Sequence, residues 1–205
     1  MPRVALVDYE LCNLDSIRRA LEICGAIPYV CKNGDALRDA DMIVLPGVGA
    51  FGTAMKNLTA SGLASSLKEQ AARGVPLLGI CLGMQLLAAT SEEGGQNDGL
   101  ALIGGDVVVL DGALTGERVP HMGWNSIDVQ ADDEPLFRSL PPSPNFYFVH
   151  SYHFRVADPR DVIGTTTYCG AFASVVRHGN ICGTQFHPEK SQRVGFQLLE
   201  NFLKQ

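Results

Sequence analysis

The sequence predicts an α/β fold: an open, mostly parallel sheet with flanking helices that carries an antiparallel β extension. Three observations lead there. Apolar runs at Val4–Val7, Met42–Leu45 and Val75–Ile80 alternate with stretches of helical spacing, as strands do when helices cover both faces of a parallel sheet. Beyond Gly99 the apolar runs shorten and turn clusters separate them, the texture of antiparallel strands. Two of the early runs end in small-residue turns, Pro46-Gly47-Val48-Gly49 and Gly79-Ile80-Cys81-Leu82-Gly83, where open α/β sheets place their ligands.

Taken in order, Val4–Val7 is a short buried strand ending at Asp8-Tyr9. Asn13 is placed to cap a helix on which Leu14, Ile17, Leu21 and Cys24 share a face until Gly25 ends it. Ile27–Cys31 is a strand, edge-like because Pro28 has no N–H for a ladder. A short helix separates it from Met42–Leu45. The glycine-rich loop 46–52 follows, then helical patterns over Ala54–Leu58 and Leu63–Ala72, closed by Gly74 and Pro76. Val75–Ile80 reads as a strand buried on both faces. At Cys81 the period switches, with Met84, Leu87 and Ala88 on one helical face. Ser91–Gly99, polar and rich in glycine, reads as a loop. Short strands are expected at Val107–Leu110, Asn125–Val129, Phe146–His150, Val162–Tyr168, Ala173–Arg177 and Ile181–Phe186, the last two joined by a tight hairpin at His178-Gly179-Asn180. Val194–Leu203 closes the chain as an amphipathic helix, with Phe196, Leu199 and Phe202 on its apolar face.

Composition narrows the function. With 205 residues and 46% hydrophobic content, the chain has ample core for one domain over residues 1–205. A net charge of −6 and no run of Lys or Arg leave no footprint for nucleic acid. The apolar run near Met1 is too short for a signal peptide or a membrane span. The six cysteines lie far apart with no CxxC pair, which disfavours a disulfide framework or a zinc site. The expectation is a reduced, cytoplasmic protein that uses neither metal nor cofactor.

Chemistry concentrates at Cys81. Gly79 and Gly83 flank it two residues away on either side, the pattern of a nucleophile elbow, in which small residues permit a sharp strand-to-helix turn. A thiol at a helix N-terminus meets unpaired N–H groups that favour thiolate. A backbone N–H near Val48 or Gly49 can join that of Leu82 as an oxyanion hole. Among the five histidines, His187 alone stands at a strand end and precedes proline, which biases it toward extended geometry. His178 belongs to a turn, His153 alternates out of a strand, and His121 and His150 fit packed loops. In an extended chain Glu189 lies on the same side as His187, ready to orient the imidazole. Cys81, His187 and Glu189 thus form a candidate catalytic triad.

Three motifs, Pro46-Gly47-Val48-Gly49, Gly79-Ile80-Cys81-Leu82-Gly83-Met84-Gln85 and His187-Pro188-Glu189, resemble in order and separation the signatures of class I (triad) glutamine amidotransferases. Two further stretches, Pro120-His121-Met122-Gly123-Trp124-Asn125 and Tyr147-Phe148-Val149-His150-Ser151-Tyr152, resemble the branch of glutaminase subunits that serve imidazole glycerol phosphate synthases, as do Gly49-Ala50-Phe51 and Lys190-Ser191. That resemblance implies L-glutamine as substrate, a γ-glutamyl thioester on Cys81, and ammonia passed to an obligate partner, a cyclase subunit built as a (β/α)8 barrel. It implies substrate contacts from Gly47, Gly49, Gln85, His150, Ser151 and Tyr152, and a partner face holding Asn13, Trp124, Tyr147 and Lys190. It further implies a glutaminase weak alone and switched on when the Val48 peptide flips. The first loop departs from the family pattern Asp-Tyr-Gly-x-Gly-Asn-Leu: it reads Asp8-Tyr9-Glu10-Leu11-Cys12-Asn13-Leu14, with both glycines replaced. The glutaminase of anthranilate or GMP synthesis, a free-standing γ-glutamyl hydrolase and a non-enzymatic binding protein are the alternatives.

Overall fold

The computed structural model describes residues 1–113, 115–131 and 133–205. Its first half alternates as expected: β1 (Arg3–Val7), α1 (Leu14–Ile23), β2 (Ile27–Cys31), β3 (Met42–Gly47), α2 (Phe51–Ala60), α3 (Leu63–Ala72), β4 (Leu77–Cys81) and α4 (Leu82–Gln85). The second half is β-rich: β5 (Thr90–Ser91), β6 (Asn97–Asp98), β7 (Gly105–Val109), β8 (His121–Ser126), β9 (Asp128–Val129), β10 (Asn145–His150), β11 (Tyr152–Val156), β12 (Val162–Thr167), β13 (Ala171–His178), β14 (Ile181–Thr184) and α5 (Gln192–Phe202).

Eight strands form the central sheet in the order β2-β1-β3-β4-β14-β13-β12-β9. The ladders from β2 to β14 are parallel and the remainder are antiparallel. Edge position suits β2, since Pro28 offers no N–H. The unbroken apolar runs are explained by burial on both sides. Along β1, Ala5 and Val7 join the layer of α2 and α3, whereas Val4 and Leu6 join the layer of α1 and α5. Two smaller sheets, β8–β10 and β11-β7-β5-β6, stand beside the carboxyl ends of the parallel strands.

One pairing positions the site. β14 returns from the far half of the chain to lie parallel against β4, with Thr184 opposite Ile80. The segments that follow Ile80 and Thr184, and with them Cys81 and His187, therefore leave the sheet side by side.

Several boundaries differ from the sequence reading, each for a local reason. The expected loop 91–99 carries a small hairpin, β5–β6, pinned by the Asn97 amide on the carbonyls of Glu93 and Gly95. β11 has no apolar signature, because only Phe154 in it is fully buried. The helix after Cys81 is a single turn: every residue from Leu82 to Ala88 is buried, so no solvent face exists to give it a period. Asn13 stands at the start of α1 without making a side-chain cap. In α5 the buried face is Leu198, Leu199 and Phe202, with Phe196 only partly covered.

Gly83 lies where a Cβ would overlap the Leu45 carbonyl, so the elbow packs directly on β3. Gly83→Ala is expected to cost about 2–3 kcal/mol in guanidinium unfolding. Gly104→Ala, whose new Cβ would approach nothing closer than 3.6 Å, should stay within about 0.5 kcal/mol of the parent.

Candidate active site

Cys81 ends β4 with φ +56° and ψ −110°, a backbone region that side-chain-bearing residues rarely adopt. Small neighbours make the turn possible: a Cβ on Gly79 would meet the Gly83 carbonyl oxygen at 2.6 Å. The thiol is nearly buried, at 6% exposure. Its sulfur lies 3.8 Å from the Val149 carbonyl and 3.9 Å from Gln185 Nε2.

His187 has the extended backbone that Pro188 requires, φ −100° and ψ 96°. Glu189 does not follow in an extended chain, however. Residues Pro188–Lys190 make one 3-10 turn, and that turn brings Glu189 Oε1 to 2.8 Å from His187 Nδ1. The two side chains expected to pair are in contact, through a turn rather than an extended chain. The His187 N–H donates to the Tyr147 carbonyl at 2.9 Å, and Ser191 Oγ donates to the His187 carbonyl at 2.6 Å. Both ends of the His–Glu pair stay open: His187 Nε2 and Glu189 Oε2 are buried with no partner, a state rare for buried polar atoms outside functional sites. Burial alone would lower the His187 pKa, but the Cys81 sulfur nearby and then the hydrogen-bonded Glu189 carboxylate outweigh it and raise it to about 10.

A cavity of about 370 Å³ opens over the thiol. Val48, Gly49, Leu82, Gln85, His150, Ser151 and Tyr152 line it with Cys81, so the glycine loop, the elbow and the β10–β11 junction converge there. Gly47 is the exception among the expected contacts. It is buried at the end of β3 behind the lining, where a Cβ would collide with the Tyr9 hydroxyl; its smallness serves packing. The Val48 N–H does not point at the cavity either, but donates to the Leu11 carbonyl at 3.0 Å.

The structure adds residues that the sequence reading missed. Glu93 lines the cavity from the β5–β6 hairpin, and its carboxylate accepts the Phe51 N–H at 2.8 Å at the start of α2; nothing in the polar run Glu92-Glu93-Gly94 distinguished it from loop. His121 and His150, expected in packed loops, lie opposite each other on β8 and β10, with His121 Nδ1 3.0 Å from His150 Nε2. Burial lowers them to about 4 and about 3. The four expected partner-face residues remain accessible. Trp124 is 51% exposed and pairs across the ladder with Tyr147, their rings 6.2 Å apart. Lys190 and Asn13 are exposed, and α1 packs against the turn that carries Lys190.

Comparison with known proteins points to one family. The family model for "Glutamine amidotransferase class-I" matches residues 5–205. A protein of Moorella thermoacetica described as imidazole glycerol phosphate synthase subunit HisH is 47% identical over 202 residues, covering 98% of this chain and 94% of its own. One of Sulfurimonas denitrificans with the same description is 46% identical over 203 residues, covering 98% and 97%. Among solved structures, PurLQS from Thermotoga maritima aligns with TM-score 0.78 at 22% identity over 99% of this chain and 98% of that one, a likeness of fold.

The His187 pKa gives a signed expectation. A histidine raised from 6.5 to about 10 on folding contributes stability that is complete below pH 6.5 and lost as pH rises toward 10. Guanidinium unfolding between pH 6 and 10 should show that decline, and Glu189→Gln should flatten it. Parallel curves would remove the ion pair from the account.

Proposed function

The chain belongs to the class-I glutamine amidotransferase family, and we propose that it is the glutaminase subunit of an imidazole glycerol phosphate synthase. As one domain over residues 1–205, it hydrolyses L-glutamine and delivers ammonia to a cyclase subunit. The near-full-length identity of about 45% to HisH subunits supports the pathway, and the single observation that supports the chemistry is a buried thiol at an elbow beside a His–Glu pair with an open Nε2.

In this reading the Cys81 thiolate attacks the side-chain carbonyl carbon of glutamine. The oxyanion forms beside the Leu82 N–H, the first of the elbow helix, and a second donor comes from the Val48-Gly49 segment. His187, held by Glu189, protonates the departing nitrogen as the C–N bond breaks, leaving a γ-glutamyl thioester and ammonia. The same imidazole then takes a proton from water, whose attack breaks the C–S bond, releases glutamate and restores the thiolate–imidazolium pair. Gln85, Gly49 and the His150-Ser151-Tyr152 backbone hold the amino acid, and the Glu93 carboxylate faces its ammonium.

The second oxyanion donor is where a partner acts. Since the Val48 N–H is held by Leu11, its peptide has to turn before that N–H can serve the cavity. The glutaminase is therefore weak alone, and docking of a liganded (β/α)8-barrel cyclase completes it. That subunit makes imidazole glycerol phosphate and AICAR from the PRFAR nucleotide. Trp124, Tyr147, Lys190 and Asn13 form the docking face, with Met122 exposed on the same strand two residues from Trp124. The complex works in the cytoplasm; among the described residues no helix is long and apolar enough to cross a membrane.

The test is glutamine hydrolysis by the purified chain with and without the cyclase and its nucleotide. Stimulation on the order of 10²-fold, the worth of one oxyanion donor, is expected, with complete loss in Cys81→Ala. Hydrolysis indifferent to the cyclase would discard the partner, and activity surviving Cys81→Ala would discard the mechanism. By calorimetry, Trp124→Ala should weaken the complex by about 2 kcal/mol, as removal of a hot-spot aromatic does.

A further inference from the structure

Gln185 lies one residue beyond β14, fully buried, with its backbone N–H on the Ser174 carbonyl at 2.9 Å. Its side chain belongs to a directed chain of hydrogen bonds whose polarity is fixed at one end. The Tyr152 carbonyl can only accept, and it takes Gln85 Nε2 at 2.8 Å and His150 Nδ1 at 2.9 Å. Gln85 must therefore turn its nitrogen that way, and the same nitrogen lies 3.1 Å from Gln185 Oε1. Gln185 is left with its nitrogen facing the sulfur of Cys81 at 3.9 Å. The two neutral groups on that sulfur then act in opposite senses. The Val149 carbonyl, at 3.8 Å, accepts from S–H and favours the thiol. Gln185 donates, and favours the thiolate.

We propose that Gln185 is a catalytic residue of this site, its amide N–H a fixed donor to the Cys81 thiolate, aimed by Gln85 and the Tyr152 carbonyl. This rests on the reading of Cys81 as the nucleophile of glutamine hydrolysis. It adds a neutral donor whose direction is set by the fold to the charged partner, His187. The titratable groups around the sulfur are His187 with Glu189 behind it, Tyr9 after β1, His150 on β10 and Glu93 across the cavity. Between pH 6 and 9, burial keeps the Tyr9 hydroxyl protonated and His150 neutral.

The experiment is alkylation of the full chain by iodoacetamide from pH 6 to 10, followed on the Cys81 peptide by mass spectrometry. Burial pushes the Cys12, Cys24 and Cys31 thiols up to about 11 and that of Cys182 to about 12, so these react slowly. Gln185→Met, similar in length but without the N–H, is expected to slow Cys81 at pH 7 by about tenfold, the size of a hydrogen bond to a charged group. The gap should narrow toward pH 10, where His187 gives up its proton and the sulfur carries charge with or without the donor. A merely structural role would lower the rate equally at every pH, and that result, like unchanged rates, overturns the proposal. Should the variant not fold, the side-chain amide signal of Gln185 in the 15N-labelled parent decides. A downfield shift with rising pH, absent in Cys81→Ala, supports it, and an unshifted signal overturns it. Neither readout uses glutamine, so a chain that hydrolyses none even with the cyclase overturns the glutaminase reading separately.

Discussion

The chain reverses from strand to helix within one residue at Cys81, and the site depends on the packing that makes this turn tenable. A non-glycine residue at φ +56° carries a cost of about 1–3 kcal/mol that its surroundings must overcome. Here the surroundings are backbone. Gly79 lets the Gly83 carbonyl come close, Gly83 lies against the Leu45 carbonyl of β3, and Gly47 makes room for the Tyr9 hydroxyl, which itself donates to the Pro46 carbonyl at 2.9 Å. Strands β3 and β4 and the elbow are thereby locked into one unit before any side-chain chemistry is considered. The parallel return of β14 beside β4 then fixes where His187 must stand.

Three buried histidines near this turn are driven in opposite directions by what they face. His187 faces two groups that can carry negative charge, the Cys81 sulfur and the Glu189 carboxylate, so its charged form is favoured despite burial. His121 and His150 hydrogen-bond only to neutral groups, burial lowers both, and their contacts assign one donor and one acceptor to each ring. His150 Nδ1–H gives to the Tyr152 carbonyl, so its Nε2 accepts from His121 Nδ1–H; His121 Nε2 in turn accepts from Asn125 Nδ2 at 3.3 Å. A proton added to either ring would set two donors face to face. The arrangement is self-consistent only when both are neutral, which leaves His187 as the one imidazole by the sulfur able to carry a proton through a reaction cycle.

What was legible in the sequence follows from the range of the interaction involved. The β-α alternation, the edge position of β2 and the Gly179-Asn180 hairpin rest on contacts or conformations within a few residues, and each stands at its expected place. The elbow was readable because its glycines meet Cys81 within the same turn. Glu189 was identified through proximity to His187, although a 3-10 turn and not a strand makes the contact. Glu93, Gln185 and the Leu11–Val48 hydrogen bond were invisible for the converse reason. Each acts on a residue 37 or more positions away, with Gln185 at 104 from Cys81, and no local pattern distinguishes a buried glutamine that aims at sulfur from one that fills space. Gly47 illustrates the converse: a glycine next to a site motif suggests a contact, whereas here it lies outside the cavity lining and makes room for the Tyr9 hydroxyl.

The loop after β1 shows how two departures from a family pattern can leave a structure intact while changing how it is held. Glu10 occupies a glycine position and keeps the glycine conformation, with φ +71°. For a residue with a Cβ that conformation is strained by about 1–2 kcal/mol, and one local bond, from its N–H to Asp8 Oδ1 at 3.0 Å, helps to hold it. Cys12 takes the other position without positive φ and turns its thiol onto the Val7 and Pro46 carbonyls at 3.5 and 3.4 Å. One replacement loads the loop and the other ties it to β1 and β3. Between them lies Leu11, whose carbonyl holds the Val48 N–H. The strained Glu10 and the tethered Cys12 thus flank the one residue whose carbonyl holds the Val48 N–H, and the loop's conformation fixes where that carbonyl stands.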